Sequence, residues 1–144
     1  MRVVVQRVSK ACVFVNNQVV GSIDEGLMLL VGFTQDDTLE NIDYMVNKVL
    51  NLRIFPDENG VMNKSVKDTG GAILSISQFT LYGDASKGNR PSYVKALNGE
   101  CAIKLYDKFN EKLKEYVLVE TGVFGADMQV SLVNMGPTTI ILEK

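Results

Sequence analysis

Four consecutive residues near the middle of the chain carry groups that can stabilise a negatively charged oxygen. Ser77, Gln78 and Thr80 surround Phe79 in the stretch SISQFTLYGD, which begins in an apolar run. A strand that ends here presents backbone N–H groups beside a side-chain amide and hydroxyls, and these are suitable donors for a carbonyl that becomes negative. An ordinary polar strand end is the alternative, and spacing alone does not exclude it.

The loop that follows, KGNRP at residues 87–91, is a second candidate site. Lys87 and Arg90 lie among glycine and proline, and Lys95 adds a third positive charge close to Asp84. Such a loop can hold the phosphate oxygens of a nucleic-acid backbone. A solvated loop without a ligand is the alternative interpretation.

A third candidate interrupts a β-strand pattern near the end of the chain. Residues 131–133 and 139–142 have strand character, yet Gly136-Pro137 stands between them. Proline cannot donate to a strand ladder, so it belongs at an edge, a turn or a bulge. A trans turn that joins two separate strands is the ordinary explanation, and a cis bond before Pro137 is the rarer one.

The composition narrows the chemistry. None of the 144 residues is histidine, so the usual general base is missing and a Ser-His-Asp or Cys-His site cannot form within one chain. Cys12 and Cys101 lack CxxC spacing, and we expect them to be small buried hydrophobes in a reducing compartment. We therefore expect neither a metal site nor a cofactor. The net charge of −2 argues against coating nucleic acid by bulk charge, but not against a local basic patch.

No signal-like N-terminus is visible, and no apolar run approaches the roughly 20 residues that cross a bilayer. A cytoplasmic protein without a membrane partner is therefore expected.

The candidate residues must be positioned by an α+β layered domain that spans residues 1–144. The apolar run at 26–33 predicts a strand buried on both faces. Asp36-Asp37-Thr38 offers helix caps, and Glu40 lies three residues after Asp37. Strands are predicted at 2–8, 11–15, 18–20, 26–33, 70–79, 116–120, 127–133 and 138–142, a short hairpin or loop at 53–63, and helices around 39–50 and 102–113. This order fits helices that cover one side of a sheet.

Four segments taken together resemble the D-aminoacyl-tRNA deacylase family. They are MRVVVQRV at 1–8, SQFTLYGD at 77–84, KGNRPSY at 87–93 and NMGPTT at 134–139. Their order and spacing match over essentially the whole chain, and SQFTL with a late NxGPxT is the specific pair. The resemblance implies a single deacylase-like domain, folded as a layered β-β-α sandwich with mostly antiparallel sheets and two main helices.

The same resemblance implies a homodimer that hydrolyses the ester between a D-amino acid and the tRNA 3′ end while rejecting L-aminoacyl-tRNA. Related proteins also remove glycine mischarged onto tRNA-Ala. Gly136 and Pro137 would form a cis bond that reaches into the partner's active site, with Arg7 pinning it. The remaining implied site residues are Ser77, Gln78, Phe79 and Thr80 around the ester carbonyl, and Met135, Lys87 and Arg90 in contact with substrate or tRNA. The partners would be a second copy and the aminoacylated tRNA 3′ end, without DNA.

Two mechanisms remain open at this point. In the first, the Phe79 amide faces the carbonyl and the 2′-OH of the RNA helps to move the proton. In the second, Thr80 is a covalent nucleophile, which needs Asp84 or Lys87 as a base.

Two other functions are also compatible with the sequence. One is a non-catalytic dimeric RNA-binding module that uses KGNRP and an exposed helix, although such a module is usually more basic. The other is a small-molecule hydrolase that shares the fold.

Overall fold

The computed structural model describes residues 1–144, which form a mixed six-stranded sheet with helices packed on one face. In chain order the elements are β1 Arg2–Val15, β2 Gln18–Ile23, β3 Gly26–Gly32, α1 Leu39–Asn51, β4 Phe55–Pro56, β5 Met62–Lys64, α2 Val66–Thr69, β6 Ala72–Ser77, a 3-10 helix Phe79–Tyr82, α3 Gly99–Lys114, β7 Val119–Thr121 and β8 Gln129–Glu143. The α+β prediction is correct. The sheet is mixed, however, because β6 pairs in parallel with both β3 and β7.

The long strand β1 pairs with three other strands of the sheet. Its first half pairs with β3, and its second half pairs with β2 through a turn at Asn16-Asn17. Both asparagines have positive φ, as a tight hairpin requires, and the predicted hairpin is confirmed. β8 runs antiparallel along the other side of β1 and pairs with no further strand, so its outer edge is open.

Two hydrophobic cores lie on opposite faces of β3. Leu27, Leu29 and Val31 face a core of 21 buried residues, in which α1 and α3 pack on the sheet. Met28 points the other way, into a core of seven buried residues that also includes Leu74 of β6. Because successive side chains of a strand point to opposite faces, this arrangement confirms a strand buried on both sides.

The helix α1 forms as predicted, but a different pair of residues closes its first turn. Thr38, one of the three predicted cap residues, is the N-cap, and its backbone N–H donates to the Asn41 side chain over 2.9 Å. The sequence spacing offers Asp37 with Glu40 for this pair. Asp37 instead accepts a hydrogen bond from the buried ammonium group of Met1. Asp37, another of the three candidate caps, is thus engaged in a long-range ion pair.

The largest difference from the predicted elements is β8. The sequence pattern predicts two strands separated by a break, whereas the structure has one strand that pairs with β1 along most of its length. The pairs Gln6–Thr139 and Val8–Asn134 flank an irregularity. Between them β1 has one residue (7) and β8 has four (135–138), which is a bulge. Gly136-Pro137 lies in this bulge, where a missing N–H costs no ladder hydrogen bond.

Smaller predictions also differ. β6 ends at Ser77 because the 3-10 helix begins at Phe79, and the strand predicted at 116–120 is the shorter β7. Both cysteines are free thiols, but Cys101 is exposed and Cys12 is half-buried, so the prediction of buried cysteines is wrong. None of the helices combines the length and the apolar character needed to span a membrane.

Candidate active site

The first candidate site lies where two parallel strands end side by side. Val31 of β3 stands opposite Ser77 of β6, and the next residue, Gln78, donates its N–H to the Val31 carbonyl over 2.7 Å. Phe79 then begins the 3-10 helix that turns the chain away from the sheet. Carboxyl ends of parallel strands are a common place for ligands, since the chain leaves the sheet there and opens a crevice.

A cavity of about 490 Å³ opens at these strand ends. Ser77, Gln78 and Phe79 form one wall of it. The other walls come from the end of β3, the start of α3 and the segment before β8, and they include Phe33, Leu97, Ala102, Phe124 and Met128. Ten of the 16 lining residues are hydrophobic, so the cavity suits an apolar or flat group beside a few polar contacts.

Two backbone donors at the start of the 3-10 helix are unpaired. The N–H groups of Phe79 and Thr80 make no hydrogen bond within the protein, because the first N–H groups of a helix have no partner in it. The Gln78 side-chain amide donates to the Thr80 hydroxyl. The structure thus brings together two backbone donors, an amide and a hydroxyl within residues 78–80; Gln78 and Phe79 line the cavity, whereas Thr80 follows them and does not.

Thr80 has no acidic or basic partner in the structure. Its hydroxyl accepts a hydrogen bond from the side-chain amide of Gln78. Asp84 is engaged elsewhere: hydrogen bonds from Ser86 and the ammonium group of Lys95, at 3.4 Å, lower the pKa of Asp84 to about 2. A carboxylate with so low a pKa is a weak base at neutral pH.

The second candidate site is the bulge of β8. The Gly136-Pro137 peptide bond is cis, and Gly136 has φ of 116°, a backbone conformation that favours glycine. A Cβ added to Gly136 would lie 2.6 Å from the Thr138 hydroxyl oxygen. The Thr139 hydroxyl donates to the Pro137 carbonyl over 3.2 Å and accepts from the Asn134 side chain over 3.0 Å. These contacts fix the bulge from within.

Arg7 contacts the bulge from the neighbouring strand. Its Nη2 donates to the Met135 carbonyl over 3.2 Å, and its Nη1 donates to the Ile54 carbonyl over 2.6 Å. Met135, Gly136 and Pro137 are exposed, and neither they nor Arg7 line the cavity. Within one chain, therefore, the cavity at the strand ends is built without the bulge.

Lys87 and Arg90 lie in an exposed loop that follows the 3-10 helix. Asp84 and Ser92 exchange two backbone hydrogen bonds of 2.8 Å and close the base of this loop. Neither Lys87 nor Arg90 forms an ion pair. Both positive charges are therefore available to an anionic ligand.

Sequence reasoning named three of the 16 residues that line the cavity, namely Ser77, Gln78 and Phe79, and missed the others. Residues 124–128 lie between β7 and β8, far along the chain from the strand end, and contribute one whole wall. Gly125, with φ of 75°, marks a turn there, which is no signal for a ligand. No cluster of three or more histidine, cysteine, aspartate or glutamate side chains is placed to hold a metal ion.

An α+β domain with unpaired backbone donors beside a mostly apolar cavity, and without any histidine, has the character of a histidine-free hydrolase. Comparison with known proteins supplies the family. A family model described as D-Tyr-tRNA(Tyr) deacylase matches residues 4–143. The chain belongs to the D-Tyr-tRNA(Tyr) deacylase family, and it is a hydrolase of the ester bond in aminoacyl-tRNA.

Two solved structures are similar over their full lengths. One, described as c-Myc DNA Unwinding Element Binding Protein, is 42% identical with a TM-score of 0.95, and the match covers 100% of this chain and 99% of that one. The other, described as a probable eukaryotic D-amino acid tRNA deacylase, has a TM-score of 0.84 at 20% identity over 98% and 97% of the chains. At 20% identity this likeness concerns the fold. The resemblance to deacylases is confirmed by the family match.

Proposed function

We propose that the protein is a homodimeric D-aminoacyl-tRNA deacylase that releases free D-amino acid and tRNA and rejects L-aminoacyl-tRNA. The observation that carries this proposal is the pair of unpaired backbone donors, at Phe79 and Thr80, beside a mostly apolar cavity in a chain of this family. Residues 1–144 act as one domain, and the reaction takes place in the cytoplasm, where aminoacyl-tRNA is used.

An aminoacyl ester is already activated, so the enzyme has to position water and stabilise an oxyanion. The Phe79 N–H donates to the ester carbonyl, and loss of one such donor typically costs about 10²–10³ in rate. The ribose 2′-OH beside the ester helps to transfer the proton from the attacking water to the leaving 3′-oxygen, a kind of step that contributes about 10²–10⁴. The terminal nucleoside occupies the mostly apolar cavity next to Ser77 and Gln78.

A covalent role for Thr80 has less support. A threonine nucleophile needs an adjacent base, yet the recorded partner of this hydroxyl is the Gln78 amide. Asp84 is held by Ser86 and Lys95, and its lowered pKa makes it a poor proton acceptor. We therefore favour hydrolysis by water, with Ser77, Gln78 and Thr80 shaping the wall of the site.

Selection for the D configuration uses the bulge of β8. The carbonyl oxygens of Gly136 and Pro137 bind the α-amino group and leave no room for the side chain of an L-amino acid. Because recognition uses the groups that every D-amino acid shares, the side chain points outward and many are tolerated. Glycine has no side chain to exclude, so the same geometry admits glycine mischarged onto tRNA-Ala. Arg7 and Met135 hold and flank this backbone wall.

A second copy of the chain brings the bulge to the cavity. β8 is a long open edge strand with exposed apolar side chains, namely Val133 (43% exposed), Met135 (44%) and Ile141 (66%). Exposed apolar edges of this length are normally covered by another chain. We therefore place β8 at the dimer interface, with the bulge of each protomer in the site of its partner.

We propose tRNA, and not DNA, as the nucleic-acid partner, although the name of the 42% identical structure refers to a DNA element. A mechanism that uses the 2′-OH requires ribose. Lys87 and Arg90 serve this partner as free cations, while the overall charge of −2 disfavours unspecific binding.

The direct test uses matched D- and L-tyrosyl-tRNA(Tyr), glycyl-tRNA(Ala) and the free ethyl ester of D-tyrosine. We expect release of the amino acid from the D-charged and the glycine-charged tRNA only. Hydrolysis of the free ester at a comparable rate would indicate a small-molecule hydrolase instead. Tight tRNA binding without release would indicate the RNA-binding module.

A further inference from the structure

Three large apolar side chains stand exposed beside the cavity. Phe79, Tyr93 and Val94 are 57%, 41% and 78% exposed, and Phe79 also forms part of the cavity wall. The rings of Phe79 and Tyr93 meet edge to face, with centroids 5.1 Å apart and planes at 67°. We call these three residues the aromatic ledge. Because Phe79 is part of the cavity wall, the ledge is placed to contact the part of a ligand that extends out of the cavity.

The ledge is fixed by the backbone beneath it. The Thr34 hydroxyl donates to the Lys95 carbonyl over 2.7 Å, the Gln35 side chain donates to the Val94 carbonyl over 3.2 Å, and the Leu97 N–H donates to Phe33 over 2.9 Å. The segment is thus tied to the chain that leaves β3. Because these hydrogen bonds hold the backbone of the segment in place, its apolar side chains are exposed on a fixed surface.

The Tyr93 ring also packs closely against the end of the 3-10 helix. A Cβ added to Gly83 would lie 3.0 Å from the Tyr93 ring. The Tyr93 side chain thus contacts both Gly83 and the Phe79 ring, yet 41% of Tyr93 stays exposed. An aromatic ring held in this way can act as a stacking platform without losing much conformational freedom on binding.

Free positive charge lies next to the ledge. The loop with Lys87 and Arg90 closes through the Asp84–Ser92 backbone pair, and Tyr93 follows Ser92 directly. Lys64, Lys95, Lys108 and Lys112 are paired with carboxylates, whereas the two loop cations are not. Aromatic faces flanked by cations are the combination with which proteins bind unpaired nucleic-acid strands, because bases stack on rings and phosphates meet the charges.

We propose that the aromatic ledge binds the unpaired nucleotides that precede the terminal adenosine of the tRNA, with Tyr93 stacking on the penultimate base and Lys87 and Arg90 at the adjacent phosphates. This inference rests on the proposed function, which places the terminal nucleoside and its ester at Phe79. From there the next base reaches Tyr93, since the two rings are in contact. Stacking tolerates any base, so the ledge orients the 3′ end without reading its sequence.

The decisive experiment compares two substrates on Tyr93→Ala, Tyr93→Phe and the unaltered protein. D-tyrosyl-tRNA(Tyr) carries the preceding nucleotides, and D-tyrosyl-adenosine keeps the ester and the terminal nucleoside but lacks them. We expect Tyr93→Ala to raise KM for the tRNA about ten-fold with little change in kcat, the range that stacking of one base supplies. The effect on D-tyrosyl-adenosine should be several times smaller, and Tyr93→Phe should restore the tRNA value. Tyr116→Ala, at a tyrosine that is 57% exposed and outside the cavity lining, is the matched control.

A second readout does not depend on hydrolysis. Fluorescence anisotropy with a labelled single-stranded RNA that ends in the acceptor sequence should show weaker binding to Tyr93→Ala than to Tyr116→Ala. The double variant Lys87→Ala/Arg90→Ala should weaken this binding and flatten its dependence on salt.

Different outcomes separate the ledge from the proposed function. Equal losses on both substrates would mean that Tyr93 acts only through Phe79, and an unchanged tRNA KM would mean that no base stacks there. Dissociation of a dimer in Tyr93→Ala, seen by size-exclusion chromatography, would mean that a second copy covers the ledge. Failure of the unaltered protein to cleave D-tyrosyl-tRNA would overturn the proposed function, while the anisotropy comparison would still decide the ledge.

Discussion

The strand-end site and the bulge of β8 are built by opposite means. The strand-end site is concave: two parallel strands, the start of α3 and residues 124–128 line a cavity of about 490 Å³ that opens to solvent. The bulge is exposed, and the hydrogen bonds that hold it come from the flanking side chains of Asn134 and Thr139 and from Gln6 and Arg7 of β1. The first region forms a cavity within a single chain. The second is an exposed bulge that lines no part of that cavity in its own chain.

In the proposed function, this difference separates the residues that carry the chemistry from those that select the configuration. Donors that stabilise an oxyanion work best where water is displaced, and a substrate that fills the cavity displaces water from its wall. Selection between D- and L-amino acids requires a backbone segment of fixed conformation that can enter the site of the partner. A bulge held by hydrogen bonds has this property. Changes at the strand ends should therefore alter the rate, and changes at the bulge should alter the ratio of D to L turnover.

The largest expected effect tests the chemistry at the strand ends. With D-tyrosyl-tRNA that ends in 2′-deoxyadenosine and is charged on the 3′-oxygen, we expect single-turnover hydrolysis to be about 10²–10⁴ times slower, because the neighbouring hydroxyl can no longer transfer the proton. Gly136→Ala should show the same ratio between the two substrates, since the bulge takes no part in this step. Equal rates on both substrates would remove the 2′-OH from the mechanism.

The second prediction breaks the bulge. Gly136→Ala places a Cβ at φ of 116° and 2.6 Å from the Thr138 hydroxyl, so the backbone there must move. We expect the ratio of kcat/KM for D- over L-tyrosyl-tRNA to fall about 10- to 100-fold, in the range of one lost specificity contact. Gly60→Ala is the matched control, because Gly60 also has positive φ (77°) but has no neighbour within 4 Å of an added Cβ. A comparable fall in Gly60→Ala would attribute the loss to general destabilisation.

The same two regions show how far the sequence reaches. Residues 77–80 are consecutive, so one short sequence pattern contains all of the candidate hydrogen-bond donors at the strand ends. The opposite wall at 124–128 joins the cavity only through the fold, and no local pattern connects Phe124 with Phe79. A consecutive motif is thus visible in the sequence, and a cavity assembled from distant segments is not.

The fold follows the same distinction. The double-sided burial of β3 and the apolar stripe of α1 are local periodicities, and both were predicted correctly. Whether Gly136-Pro137 ends a strand or forms a bulge depends on the register of β1, through Gln6 and Val8, which lies more than a hundred residues away. Similarly, the Met1 ammonium removes Asp37 from the helix cap across 36 positions of sequence. Propensity does not contain such long-range pairings.

A smaller effect is expected from the support of the bulge. Arg7→Ala removes both the bond to the Met135 carbonyl and the bond to the Ile54 carbonyl. Because the hydrogen bonds of Thr139 remain, we expect the D over L ratio to fall by about ten-fold at most, in line with the loss of a hydrogen bond from a charged donor. Arg7→Lys should lie between, since an ammonium group lacks the planar fork that reaches two carbonyls. An unchanged ratio in Arg7→Ala would exclude Arg7 as the residue that holds the wall.

The smallest effect is expected at Thr80. Its hydroxyl accepts a hydrogen bond from Gln78 and has no base beside it, while its backbone N–H, which Thr80→Ala retains, is one of the two unpaired donors. We therefore expect kcat to fall less than ten-fold and no acyl-enzyme to accumulate when the reaction is quenched with acid and analysed by mass spectrometry. Near-complete loss of activity together with a trapped acyl group in the unaltered protein would make Thr80 the nucleophile. Catalysis at the strand-end site would then depend on a side chain. The contrast between catalysis by backbone donors at the cavity and selection of the configuration by the backbone of the bulge would no longer hold.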